Sequence, residues 1–195
     1  MEWEVIMAVT YFGNNVTGTL NGGMEAGTIF GSLFTANLTG NMSELGMLFH
    51  TAYTGNVRLG VYAYAASTSQ PGARLLDAGE LVNPGSGWQS KLTLTLAIVN
   101  ATQYWLVAIC SADTPAYINY EQTGGVGLMY YWPRSGGYGA LPTPCPTTSG
   151  GEGNTLCIRA GVEAVATTIG PSGAIVTGQV TNTVAMMRGT IQSEV

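Results

Sequence analysis

Apolar and polar residues alternate with a period of two through much of the chain between Ile29 and Val162, the pattern of half-buried β-strands. From Val57 to Tyr64, the side chains of Val57, Leu59, Val61 and Ala63 share one face, while Arg58, Tyr62 and Tyr64 share the other. Lys91 to Leu96 repeats the pattern, with Leu92, Leu94 and Leu96 predicted inward and Lys91, Thr93 and Thr95 outward. Between these runs the sequence predicts a turn at Gln70-Pro71-Gly72, a strand from Leu75 to Val82, and a second turn at Asn83-Pro84-Gly85-Ser86-Gly87 ahead of Trp88. Tyr104 to Cys110 is apolar on both faces, which predicts a central strand covered above and below.

Strands rich in Phe, Leu and Met are predicted on the N-terminal side, at Ile29 to Asn37 and Met42 to Thr51. Shorter ones follow at Ala116 to Tyr120 and Val126 to Trp132. A loop from Pro133 to Thr155 is long for a connection without structure, and such loops are usually functional or flexible. Leu156 to Val162 reads as the strand that closes the sheet.

Residues 1–28 hold a short apolar piece, Val5 to Phe12, before a glycine- and asparagine-rich stretch, and read as an extended arm with one strand. Residues 164–195 contain two β-branched segments, Gly173 to Val180 and Thr183 to Ile191, and read as a second arm or as strands added to the first. The organisation is therefore an arm at 1–28, a β-sandwich domain at 29–163 and an arm or added strands at 164–195. Strands with turn signals between them predict an all-β, antiparallel two-sheet sandwich, and a count of about eight core strands points to a jelly roll.

A chain of 195 residues suffices for one β domain with a sizeable core. Only 9% of residues are charged against 46% hydrophobic, so Thr, Ser, Asn and the 28 glycines carry solubility. One lysine and five arginines, with a net charge of -5, make too little positive charge to hold a phosphate backbone, which argues against a nucleic-acid partner. No apolar run approaches the roughly 18 to 20 residues that span a bilayer. Glu2 and Glu4 stand where an export signal would place positive charge. A cytoplasmic product, a virion component assembled in a host and a secreted protein without its leader all remain open. Asn-x-Ser/Thr sites at Asn15, Asn37, Asn41 and Asn100 favour the outside of a cell, though about two would arise by chance in this composition.

Residues with catalytic or ligand-binding chemistry are few and scattered. His50 is the single histidine and ends a strand, while a zinc site needs three or four converging ligands. Cys110 reads as a small buried hydrophobe. Cys145 and Cys157 bracket a Pro/Thr/Ser/Gly stretch; they form a disulfide if the compartment is oxidising, or stay reduced in a loop. A Cys145 nucleophile with His50 as its base has no support in the sequence. Carboxylates are dispersed, and Asp77 and Glu80 flank one strand as solvated charges or turn acceptors. No Gly-x-Ser-x-Gly elbow occurs, and the glycine-rich pieces lie between strands without a helix to help cradle phosphate. The sequence thus assigns no catalytic residue, metal or cofactor. Aromatic residues are the remaining candidates: Tyr130, Tyr131 and Trp132 in a row, beside Tyr138. Exposed rings stack on sugars or anchor an interface, whereas core packing uses alternate members. Tyr130 and Trp132 are predicted on one face and Tyr131 on the other.

Arg58-Leu59-Gly60-Val61-Tyr62, Pro71-Gly72-Ala73-Arg74-Leu75-Leu76, Ala78-Gly79-Glu80, Gly87-Trp88, Leu92-Thr93-Leu94 and Tyr104-Trp105-Leu106-Val107 together resemble a jelly-roll module of phage structural proteins and secreted prokaryotic surface proteins. These are packing and turn features, so the resemblance implies a fold more than a function. It implies capsid decoration, fibre, carbohydrate-binding or filament roles. The tails tilt the expectation to a non-enzymatic structural subunit, located in a virion or on an extracellular surface. Its partners are then copies of itself and a neighbouring shell or filament protein. The alternative is a carbohydrate-binding jelly-roll module that uses Tyr130, Trp132 and Tyr138 for glycan contact.

Overall fold

The computed structural model describes residues 9–112, 116–122, 129–133, 136–146, 150–152, 154–164, 167–169 and 175–177. Every regular element among them is a strand: β1 (Val9–Gly13), β2 (Leu20–Met24), β3 (Thr28–Thr35), β4 (Gly40–Phe49), β5 (Asn56–Ala65), β6 (Gln70–Val82), β7 (Gly87–Ile98), β8 (Gln103–Cys110), β9 (Ala116–Gln122), β10 (Met129–Pro133), β11 (Gly150–Glu152), β12 (Asn154–Leu156), β13 (Ile158–Ala164), β14 (Thr167–Ile169) and β15 (Ile175–Thr177). The first thirteen belong to a compact unit, Ala8–Ala164, and form two antiparallel sheets. A seven-stranded sheet follows the order β1-β13-β4-β9-β12, with β7 on β4 and β2 on β9; a six-stranded sheet runs β11-β10-β3-β8-β5-β6. Residues 1–7 and 165–195 make a second unit, in which β14 pairs antiparallel with β15. The remainder of Gly173 to Val180 and all of Thr183 to Ile191 lie outside the described residues.

The main core lies between the sheets. From the six-stranded sheet it takes Phe30, Val57, Leu59, Val61, Leu106, Ala108 and Cys110, and from the other Phe12, Met24, Met42, Leu45, Met47, Ile158, Ala160 and Val162. Alternate residues of the six-stranded sheet build a second cluster on its outer face: Ile29, Tyr62, Trp105, Val107, Ile109 and Trp132, joined by Leu141 and Cys145. β8 runs between β3 and β5, and every residue from Tyr104 to Cys110 is buried, as its two-faced apolarity predicts.

Several expectations need correction. The run from residue 9 to 28 is no free arm: β1 pairs with β13, β2 pairs with β9, and Phe12 and Met24 are core residues. Partners in the sheet outweigh the weak strand propensity of its glycines. β13 does not close the sheet, since it lies between β1 and β4. Gln70-Pro71-Gly72 begins β6, and the reversal falls at residues 66–69, where the Thr68 amide donates to the Ala65 carbonyl at 3.1 Å. An edge strand tolerates that proline because one side of it needs no amide donor. Leu92 points outward at 63% exposure. Thr93 has φ 59° and the register with β4 shifts there, so a bulge reverses the alternation and leaves only Leu94 and Leu96 against the core.

Candidate functional site

The stretch expected to be a loop from Pro133 to Thr155 contains β11 and the start of β12, and its residues 136–146 strap the outer face of the six-stranded sheet. Glycines make room for it and for the side chains it covers. A Cβ on Gly60 would strike the Leu141 side chain, and one on Gly31 would stand 2.7 Å from Val107 Cγ1 and 3.1 Å from Trp132 Cζ3. Polar bonds then hold the strap. Tyr62 donates its hydroxyl to the Pro142 carbonyl at 2.6 Å, the Leu141 amide donates to Asp77 Oδ2 at 3.1 Å, and Arg74 donates to the Leu141 carbonyl.

Beside the strap, Arg58 bridges two carboxylates, Asp77 Oδ1 at 2.9 Å and Glu80 Oε1 at 2.8 Å, while Asn56 donates to Glu80 Oε2 at 2.9 Å. Burial works against the charge of Arg58, but hydrogen bonds to Asp77 and Glu80 outweigh it and raise its pKa. Arg58 first, then Tyr138, holds the Glu80 carboxyl below the usual glutamate range. The Tyr138 hydroxyl is buried beside Glu80, short of full hydrogen-bond geometry; burial first, and then that carboxylate, push its pKa up.

These contacts decide most of the predicted site residues. Trp132 is 0% exposed, stands edge-on to Trp105 and donates its indole N–H to Gln70 Oε1 at 3.0 Å, so its ring offers no surface to a sugar. Tyr138 belongs to the strap itself and packs half-buried against the outer cluster. Tyr131 packs on Phe30 in the main core, on the opposite side from Trp132, as the alternation predicts. The Tyr130 side chain lies outside the described residues. Cys145 and Cys157 form no disulfide: Cys145 packs in the outer cluster with Trp132, whereas Cys157 lies against Gly18 and Asn14. Burial pushes the Cys145 thiol up to about 12, away from nucleophilic use, and His50 is exposed at a strand end. Among the described residues, no three His, Cys, Asp or Glu side chains converge on a metal position.

The outer face of the seven-stranded sheet carries a different arrangement, one that no sequence motif signals. Arg159 on β13 lies between two rings, 4.2 Å from the Tyr11 centroid on β1 and 4.1 Å from that of Trp88 on β7. Glu44 on β4 binds the group together: Oε2 accepts from the Tyr11 hydroxyl at 2.8 Å, and Oε1 accepts from Ser90 at 2.6 Å and faces Arg159 Nη2 at 3.5 Å. Arg159 Nη1 donates to Asn15 Oδ1 at 2.5 Å. Gly46 and Gly161 form the floor, because side chains there would collide with Ser90 and with Tyr11, Val9 and Glu44. The hydrogen bond to Glu44, followed by burial, raises the Tyr11 pKa and keeps the phenol protonated. This is a pre-shaped polar and aromatic platform, suited to recognition and to locking four strands together.

No protein-family model matches the chain, and no curated protein matches it either. The residues alone must carry the functional reading. No helix among the described residues is long and apolar enough to cross a membrane.

Proposed function

We propose that the protein is a non-enzymatic structural subunit of a virion or other extracellular assembly, of the decoration, fibre or shell type, with its two sheets connected as a jelly roll. One observation carries this reading. The sandwich is a compact unit without residues 1–7 and 165–195, and those two segments group together as a unit of their own. Val9 and Glu163 are paired neighbours on β1 and β13, so the chain enters and leaves the sandwich side by side. A folded body with separable terminal sequence suits a subunit that joins its neighbours through tails and sheet edges.

The experiment is native mass by light scattering, on the full chain and on a chain reduced to residues 8–164. A defined oligomer or filament from the full chain supports assembly, and a fall in mass on trimming assigns it to the terminal segments. A full chain that stays monomeric at every concentration overturns the reading. The carbohydrate-binding alternative gains nothing from Trp132, which is enclosed.

A further inference from the structure

The exposed edges of the two sheets differ in kind. β6 is interrupted by register shifts against β5 and bends at Gly79, with φ 81°; β7 is interrupted by its bulge at Thr93. Lys91 joins the two, donating to the Glu80 carbonyl at 3.1 Å. Irregular backbone and an edge lysine are the means by which sheets refuse further strands.

β1 has no register shift and no lysine, and its left-handed glycine, Gly13 at φ 107°, stands at its last position. Its run Val-Thr-Tyr-Phe-Gly pairs with β13 in unbroken register and contains neither charge nor proline. Among the described residues it has a strand neighbour on one side only. Exposed apolar side chains gather along the same stretch of chain: Val9 at 41%, Val16 at 50% and Leu20 at 37%.

The ladder also shows which main-chain groups are available. The Asn14 amide donates to the Ile158 carbonyl at 2.9 Å, one step beyond the Gly13–Arg159 pair. Narrow and wide pairs alternate along an antiparallel ladder. Thr10 and Phe12 therefore direct their N–H groups at β13, while Val9, Tyr11 and Gly13 direct theirs away from it.

We propose that β1 is the seam between two copies of this chain, joined antiparallel about a two-fold axis at Tyr11, so that two seven-stranded sheets continue as one. This rests on the assembly reading above and names its partner and its contact. In that register Val9, Tyr11 and Gly13 of one copy exchange main-chain hydrogen bonds with the partner's Gly13, Tyr11 and Val9. The exposed Val9 side chain then lies opposite a residue that has none, which a symmetric pairing requires of both copies at once. The seam itself is the five residues of β1, far fewer than the roughly 20–30 residues a side of a standard interface, which suits a weak, reversible contact.

The test uses the full-length chain. Val9→Pro removes an outward N–H and leaves the ladder to β13 intact, and Val9→Lys places a charge on the seam while keeping the N–H. Each is expected to lower the light-scattering mass by about half, as loss of a two-fold contact requires, with an unchanged far-UV circular dichroism spectrum. If the proline variant does not fold, the lysine variant decides. In the native chain, amide exchange at Val9, Tyr11 and Gly13 is expected to slow as concentration rises. Wild-type mass in the folded variants overturns the seam and leaves the assembly reading standing; a native chain that is monomeric throughout overturns both.

Discussion

Trp132 stands edge-on to Trp105, with ring centroids 5.3 Å apart and planes at 88°, and this pair anchors the second core on the outer face of the six-stranded sheet. Trp132→Ala removes a fully buried ring from a site roofed by Leu141 and Cys145. The expected cost is about 3–5 kcal/mol, the range for a large aromatic cut to alanine in a core. Urea unfolding followed by circular dichroism measures it; a loss under about 1 kcal/mol would mean the site collapses without harm.

The Arg58 bridge gives the strap an acid limit. Glu80 titrates below its ordinary range, so its share of stability is complete above the unfolded glutamate pKa of about 4.3 and disappears as pH falls through the lowered folded value. Tyrosine and tryptophan fluorescence should report loosening of the strap in that acid window. In Arg58→Gln this change should move to higher pH, because the group that holds Glu80 ionised is gone.

Arg159→Lys is expected to destabilise the protein by about 1–2 kcal/mol even though it keeps the charge. An ammonium cannot lie flat between Tyr11 and Trp88, and stacked cations of this kind contribute about 0.5–2 kcal/mol each. Thermal melts of the lysine and methionine variants separate the parts: equal losses would assign the effect to charge-independent packing alone.

Removal of residues 1–7 and 165–195 should leave the melting transition of the sandwich in place. Removal of residues 1–28 should abolish it, since that cut takes β1, β2, Phe12 and Met24 with it. A folded, cooperative product from the longer deletion would show that the seven-stranded sheet does not need its first edge.

Local pattern revealed the strands whose two faces differ or whose composition is uniformly apolar: β8 follows it closely, and β5 keeps the alternation of faces, although Tyr62 on its second face is fully buried under the strap where a half-buried strand would leave it exposed. It missed Leu92, because the bulge around Thr93, where residues 93–95 stand opposite Ser43 alone, has no periodic signature of its own. β2 was hidden for another reason, its glycines depressing local propensity, and of β1 only the apolar piece Val5 to Phe12 was legible; the pairing that builds both into the sheet comes from residues more than ninety positions away. The strap and the Arg159 platform were equally hidden, being assembled by contacts distant in sequence. Signals did exist in Gly31, Gly60, Gly46 and Gly161, isolated glycines inside strands, each marking a place where another group comes close.

The pairing of Val9 with Glu163 also has a mechanical meaning. A pull applied through both chain ends would open β1 from β13 as a zipper opens, loading one hydrogen bond after the next rather than sharing the force among them. Strands arranged this way yield at low tension. In a filament under load, the sandwich would therefore ride beside the line of force, with tension carried by whatever grips its terminal segments or its sheet edge.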